Sequence, residues 1–389
     1  MAYGGLLGPA SILVFYAIWL PRLRYNGVLC HILCRTSRIT LLFILWACVS
    51  VSWSPYVATS LYSVLEYSSL VLCTLIMSSV ISTRAFLHGI IVGSTVVLLA
   101  SLTLGRYAID PFSNSSSLVG LFGSKNVVGL FAELLVLASV VVMLVSRGFV
   151  GRLLLCAGPV LLGMLCLLQS KSATSSISLL IALIVLAVMG AITRFPKGVR
   201  LPLFVLVVIW AVVLVGMGYM LDLQGDVLRF FGKSSTLTGR TYLWQAGLVD
   251  GMDAPIVGRG YAAFWIQGNI PAEHLWYKFG IASRSGFHFH NLLVQSFVDL
   301  GIIGVLLIVA LLVCSLIPGL LLTLRSGMQT EAAMSVAFST MFIVRAYAEV
   351  DILGTYSIGP MIFFSLAPRL QGGSQRRGGH NVRGYGQGA

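Results

Sequence analysis

Residues 290–317 read HNLLVQSFVDLGIIGVLLIVALLVCSLI. The stretch opens on two polar residues, His290 and Asn291, and runs on as an apolar segment long enough for a membrane helix, which needs about 20 such residues. Nine residues separate Asn291 from Gly301-Ile302-Ile303-Gly304. A long polar loop therefore meets a membrane helix at His290. A histidine there is wet on one side and held by a rigid element on the other. A neutral imidazole can accept a proton near pH 7, so the position suits proton transfer at a water–lipid boundary.

The rest of the chain has the same character. Of 389 residues 58% are hydrophobic and 10% charged, whereas soluble domains carry roughly 25% charged residues. Mean hydropathy is +0.95. The expected fold class is an all-α polytopic integral membrane protein. Candidate spans fall at 5–20, 39–53, 60–80, 86–104, 126–146, 153–169, 176–193, 201–221, 291–317, 331–345 and 354–368. That makes about 11 transmembrane helices, with a range of ten to twelve. The first span lacks a basic segment before it, so no cleavable signal peptide is expected. The organisation read from this is N-terminal membrane helices over 1–221, an outer loop over 222–290 with short helices, C-terminal membrane helices over 291–370, and a disordered tail over 371–389. That tail reads QGGSQRRGGHNVRGYGQGA, Gly-rich and basic with no apolar period.

The formal net charge is +13. In a membrane chain basic loops record topology and contact with anionic lipids, and no nucleic-acid partner is expected. Arg22, Arg24, Arg35, Arg38, Arg84, Arg147, Arg152, Arg194, Lys197, Arg200, Arg325 and the tail arginines fall on one side, which the positive-inside rule makes cytoplasmic. Most acids, and the 222–290 loop, fall on the other. Seven cysteines stand at 30, 34, 48, 73, 156, 166 and 314, none of them in that loop. A disulfide-stapled outer domain is therefore not expected. Cys30, His31 and Cys34 read as reduced thiols in a short basic loop, since no second ligand pair follows.

The outer loop is too long for a plain connector. Its Trp244, Trp265, Trp276, Tyr242, Tyr261 and Tyr277 suit either sugar rings or an interfacial aromatic belt. Thr238 is a candidate cap for a helix beginning near Arg240, which puts that arginine at the positive end of the helix dipole. A cation there calls for an anion, and a planar guanidinium binds phosphate bidentately. The alternative is a solvated arginine at the interface. Arg259, Lys278 and Arg284 add positive charge to the same side, favouring an anionic ligand. Lys125 and Lys171 sit at outer helix ends as ligands or as snorkelling anchors. Glu66 and Glu133 lie inside apolar spans, as functional acids or as protonated side chains bonded between helices. Arg345 and Glu349 are spaced i,i+4 and can pair. Asn291 can cap the helix after it and fix His290. His288 and His290 could share a metal, but no carboxylate or cysteine cluster follows nearby in the chain, and no metal is expected.

His290-Asn291-x9-Gly301-x-x-Gly304 resembles the signature of the bacterial O-antigen ligase and polymerase superfamily. Leu237-Thr238-Gly239-Arg240-Thr241, Trp244 and Gly258-x-Gly260-Tyr261-x-x-Phe264-Trp265 are similar to its exopolysaccharide polymerase branch. So are Trp53-Ser54-Pro55, Gly120-x-Phe122 with Lys125-Asn126, and Ser170-Lys171-Ser172. The likeness runs from about residue 40 to 365. Arg259 departs from it, since small or apolar residues are usual between the two glycines. The resemblance implies a metal-independent glycosyltransferase in the bacterial inner membrane, active on the periplasmic face and free of cofactors. Its donor would be a glycan on undecaprenyl diphosphate, its acceptor a second lipid-linked unit (polymerase) or lipid A-core (ligase). Arg240 would hold the diphosphate, and His290 would be the base. Lys171, Arg259, Lys125, Trp244 and Asn291 would be substrate-binding. A chain-length regulator and a flippase would be partners. From other classes, a lipid-linked glycan transporter using Glu66 and Glu133, or an assembly scaffold, stays open.

Overall fold

The computed structural model describes residues 7–24, 35–109, 116–145, 149–221 and 239–382. Thr238, the expected helix cap, and Cys30, His31 and Cys34 lie outside them, as do 383–389.

A helix lies over every expected span. They are α1 Leu7–Trp19, α2 Arg35–Ser50, α3 Val57–Val80, α4 Thr83–Thr103, α5 Lys125–Val145, α6 Phe149–Ser170, α7 Ala173–Ile192 and α8 Lys197–Met220. Two short helices, α9 Arg240–Gly251 and α10 Ile270–Lys278, fall in the predicted loop; α11 Leu292–Ser326, α12 Thr330–Ala346 and α13 Ile358–Val382 follow. Among the described residues six helices are long and apolar enough to cross a membrane: α3, α4, α5, α7, α8 and α11. Arg38–Trp53, Cys156–Ser170 and Ile358–Leu370 are shorter apolar helices. With 13 and 17 residues, α1 and α12 are shorter than the roughly 20 that an untilted span needs. The expected all-α class also omitted a hairpin, β1 Arg106–Ile109 paired antiparallel with β2 Ser116–Gly120. Helix α13 continues to Val382, into the segment read as a disordered tail.

The chain divides into two compact units. One is built chiefly from Thr83–Thr241 and Pro318–Val344. Its centre is α5, whose Glu133 and neighbours Leu134 and Leu135 are fully buried. Small residues let helices approach it. Gly129 leaves room for the Ser175 side chain of α7, and Gly163 of α6 lies against Val136, the close packing that membrane helices use in place of a hydrophobic drive. The N-terminus of α7 is capped by Ser172, whose hydroxyl accepts from the N–H of Ser175 and contacts Asn126 Oδ1 at 3.1 Å. Arg200 donates to the carbonyls of Thr193, Phe195 and Leu324 at helix ends.

The other unit holds Leu6–Ser82, Tyr242–Ile317 and Arg345–Ala389. Its defining feature is a break in α11. At 35 residues this helix is longer than the predicted 291–317, yet Gly301 within it has φ 66° and ψ −167°. That conformation belongs almost to glycine alone. The break frees backbone groups that cannot be left unpaired in an apolar setting. The segment 255–260 takes up most of them. Arg259 N–H donates to Val298 O (2.9 Å), Gly260 N–H to Asp299 O (2.8 Å), and Ile302 N–H to Pro255 O (2.9 Å). Trp46 Nε1 donates to Leu300 O at 3.1 Å. The backbones lie so close that a Cβ on Gly258 would stand 2.4 Å from Leu300 N, and one on Gly301 2.2 Å from Ile256 O. Trp53 Nε1 donates to Gly258 O. Tyr261 N–H donates to Ser50 Oγ, and its hydroxyl donates to Leu353 O. The Gly258-Arg259-Gly260-Tyr261 segment is thus locked between α2 and the break.

Gly301→Ala is expected to destabilise the protein by about 3 kcal/mol or more, since strain and backbone collision act together. Gly93→Ala, at an exposed helical position with nothing within 4 Å, should be neutral or stabilising by up to about 1 kcal/mol. Thermal unfolding of both variants in detergent checks this; equal melting temperatures would rule out the strained break.

Candidate active site

Asn291 caps α11 as its sequence position promised. Its Oδ1 accepts from the N–H of Leu293 (2.9 Å) and of Val294 (3.1 Å). Its Nδ2 donates to Tyr347 O at 3.2 Å, tying the helix mouth to the turn after α12. On the other flank Phe289 is fully buried in an apolar cluster with Leu243, Phe264, Leu275, Trp276, Val294 and Val298. Its carbonyl accepts from Trp244 Nε1 at 3.0 Å, and its N–H donates to Gln295 Oε1. His290 is therefore fixed through both neighbours. It has φ 52°, a left-handed conformation costing a non-glycine residue about 1–3 kcal/mol. Its N–H donates to His288 Nδ1 at 3.1 Å.

The imidazole of His290 faces a carboxylate. Nδ1 lies 3.6 Å from Glu349 Oε2, with the histidine side chain 22% exposed and the glutamate 5%. Nδ1 itself is buried. Nε2 is thus the nitrogen left to reach a ligand from outside. Glu349 is placed by its backbone, whose N–H donates to Arg345 O, and by Tyr347, which packs edge-on against Trp244 at 5.0 Å. Arg345, one helical turn before Glu349, donates to Asp351 through Nε (2.6 Å) and Nη2 (3.1 Å). His288, His290 and Glu349 each offer one ligand atom within 4.8 Å of the others. The carboxylate that the sequence did not supply beside the histidine pair comes from far along the chain.

The other expected site residues fall as follows. Arg240 is the first residue of α9, one turn before Trp244. Arg259, expected among the substrate-binding residues, contacts Asp250 Oδ1 at 2.7 Å and Asp253 Oδ2 at 2.6 Å. Lys278 lies over the Tyr242 ring at 3.2 Å, and Arg284 pairs with Glu273 at 3.1 Å. All three cations that were read as drawing an anion thus have partners within their own unit. Lys125 and Lys171 belong to the other unit, where Lys125 opens α5 and Lys171, at φ 50°, precedes the Ser172 cap. Of the loop aromatics, Trp276 and Tyr261 are buried. They build the core, and only Tyr242 and Tyr277 are exposed. Sequence reasoning missed Glu349 as a partner of His290, Gln295 as the link between Phe289 and Trp265, and Asp250. Opposite charge around Arg259 was the one signal for Asp250.

Asp250 is nearly buried, and its pKa is raised to about 6, first by desolvation, with Arg259 opposing and Asp253 reinforcing. Glu273 is held low by the Gly268 N–H.

These features define a membrane protein of the O-antigen ligase family, and residues 157–309 match that family's model. The chain belongs to that family. Over 385 residues, 97% of this chain and 86% of the relative, it is 37% identical to the exopolysaccharide production protein ExoQ of Rhizobium meliloti (strain 1021). The family match contains His290, Asn291, Gly301 and Gly304 and ends before Glu349.

Asn291→Ala removes the cap and the Tyr347 tie together, and should cost about 1–2 kcal/mol, read as a lowered unfolding midpoint. Asp250 gives a pH signature. A carboxyl whose pKa rises on folding binds more protons in the native state, so its contribution to stability is full in acid and declines as pH climbs from about 4 to about 6. The difference in melting temperature between wild type and Asp250→Asn should change across that window and stay flat above it. A pH-independent difference would contradict the buried setting in which desolvation outweighs Arg259.

Proposed function

We propose that the chain is a polymerase of lipid-linked glycans for exopolysaccharide. It would transfer a growing chain from undecaprenyl diphosphate to a hydroxyl of a new lipid-linked repeat unit, on the periplasmic face of the bacterial inner membrane. The observation that carries this reading is the imidazole of His290, fixed at a helix mouth with buried Nδ1 toward Glu349 and Nε2 left for a ligand. Family membership and the likeness to an exopolysaccharide production protein support this choice of substrate class.

In this reading His290 Nε2 takes the proton of the acceptor hydroxyl as its oxygen bonds to the anomeric carbon. The bond from that carbon to the diphosphate oxygen breaks, and its electron pair leaves with the diphosphate. Glu349 holds the imidazole in orientation and balances the imidazolium that forms. Arg240, at the N-terminus of α9, takes the charge growing on the leaving group through its planar fork, at the positive end of the helix dipole. Lys171 and Lys125 are proposed to help hold the anionic substrates. Trp244 and Asn291 act as positioning residues for His290. A single displacement inverts the anomeric centre. A diphosphate already leaves well, so the reaction is proposed to run without metal or cofactor. Ligation to lipid A-core is the alternative acceptor chemistry at the same site.

His290→Gln should lower the turnover of lipid-linked repeat units by about 10²- to 10⁴-fold. Glu349→Gln should lower kcat while leaving the acceptor KM near its wild-type value, with partial recovery in Glu349→Asp. Arg240→Lys should lose most activity, because a point charge does not replace a fork. The readout is polymer length in a host lacking its own polymerase, at matched membrane levels, with single repeat units accumulating in the variants. Normal polymer from His290→Gln would remove the catalytic reading and bring back the transporter or scaffold.

A further inference from the structure

Two imidazoles and one buried carboxylate meeting at the mouth of α11 form a donor set of their own. We propose that His288, His290 and Glu349 bind a divalent transition ion, Zn²⁺ above all, and that the bound ion inhibits the protein by occupying the nitrogen system of His290.

The three ligand atoms lie within 4.8 Å of one another. Zinc with ligand bonds of about 2.1 Å in a tetrahedral arrangement sets its ligands about 3.4 Å apart. His290 Nδ1 and Glu349 Oε2 already stand 3.6 Å apart, and the ligand atom of His288 lies no more than 4.8 Å from those of the other two residues. Two imidazoles with one carboxylate is a common zinc donor set, with a fourth position for water. The parts are unevenly held. Glu349 is buried and fixed by the turn after α12, while His288 and His290 are each half-buried, so an ion can enter from the side the histidines expose. The ring centroids of His288 and His290 are 4.2 Å apart, which makes the pair adjacent without stacking. The oxygen-only preference of Mg²⁺ and Ca²⁺ disfavours both ions here.

An ion on Nδ1 displaces the proton that faces Glu349 and leaves the ring's proton on Nε2, which then has no lone pair for the hydrogen of an acceptor hydroxyl. The inhibitory half of the proposal rests on the reading of His290 as the base; the binding half does not.

The test uses the full-length protein in detergent, purified through a tag without histidines and stripped with a chelator. Zn²⁺ is titrated as the chloride, and bound metal is counted by mass spectrometry for wild type, His288→Asn and Glu349→Gln. Asparagine keeps an oxygen where His288 Nδ1 accepts the His290 N–H, but offers no imidazole. Wild type should bind one equivalent more tightly than either variant by about tenfold or more, the usual cost of weakening a ligand set. Identical isotherms for all three folded proteins would overturn the site, and intact melting transitions show that a loss is not unfolding. Separately, the ratio of polymerisation rates with and without Zn²⁺ should be far lower for wild type than for His288→Asn. Equal ratios would overturn inhibition at this site. Tight zinc binding in a protein that never transfers glycan would leave the site standing and sink the catalytic reading.

Discussion

The break in α11 at Gly301 is the constraint on which the rest of its unit depends. A helix in an apolar setting satisfies its own backbone, and a residue outside helical space takes that away at several groups together. The freed carbonyls of Val298, Asp299 and Leu300 go to Arg259 N–H, Gly260 N–H and Trp46 Nε1, and the N–H of Ile302 goes to Pro255 O. Each partner has to come within backbone distance, and that explains glycine at 258 as well as at 301. A side chain at either would collide with the opposing main chain. The Gly-x-Gly-Tyr segment and the Gly301-x-x-Gly304 segment, far apart in sequence, are two halves of one junction.

The junction sets the direction of the first turns of α11, and those turns seat the histidine. Asn291 closes the helix end, while Phe289 is buried below. His290 is left between two anchored neighbours in a conformation that a free residue would abandon. Strain of this kind persists only where surroundings over-determine it. Here the surroundings come from three places: Trp244 of α9, Gln295 one turn into α11, and Tyr347 after α12.

Much of this was legible in the sequence, for reasons that differ by element. The membrane helices follow from apolar runs, and Asn291 as a cap follows from its place before one. The histidine stood out because a polar loop ended at it. Glu349 did not, because nothing local in a chain says which distant carboxylate a turn will carry to a given ring; at i,i+4 spacing it read as a partner of Arg345. Arg259 read as a ligand because only its sign was visible, whereas Asp250 and Asp253 reach it through a loop that sequence spacing does not reveal. Trp276 and Tyr261 read as surface aromatics because the loop is polar overall. The short helices inside it nevertheless need a core, and large aromatic rings supply one. The break in α11 was quoted as a pattern of glycines without its cause, since the cause is a collision with a segment elsewhere.

The seat argues for an imidazole held ready in one orientation. Nδ1 of His290 is buried and stands 3.6 Å from Glu349 Oε2. Glu349 is itself nearly buried, and a carboxylate out of water is costly unless partners are near. It sits on a turn that is pinned from within: its N–H donates to Arg345 O, and Arg345 donates to Asp351 through Nε and Nη2. The group beside the ring is therefore in place before any ligand arrives, and no solvent has to reorganise around it when one binds. That preorganisation is what separates this histidine from a solvated one at a helix mouth.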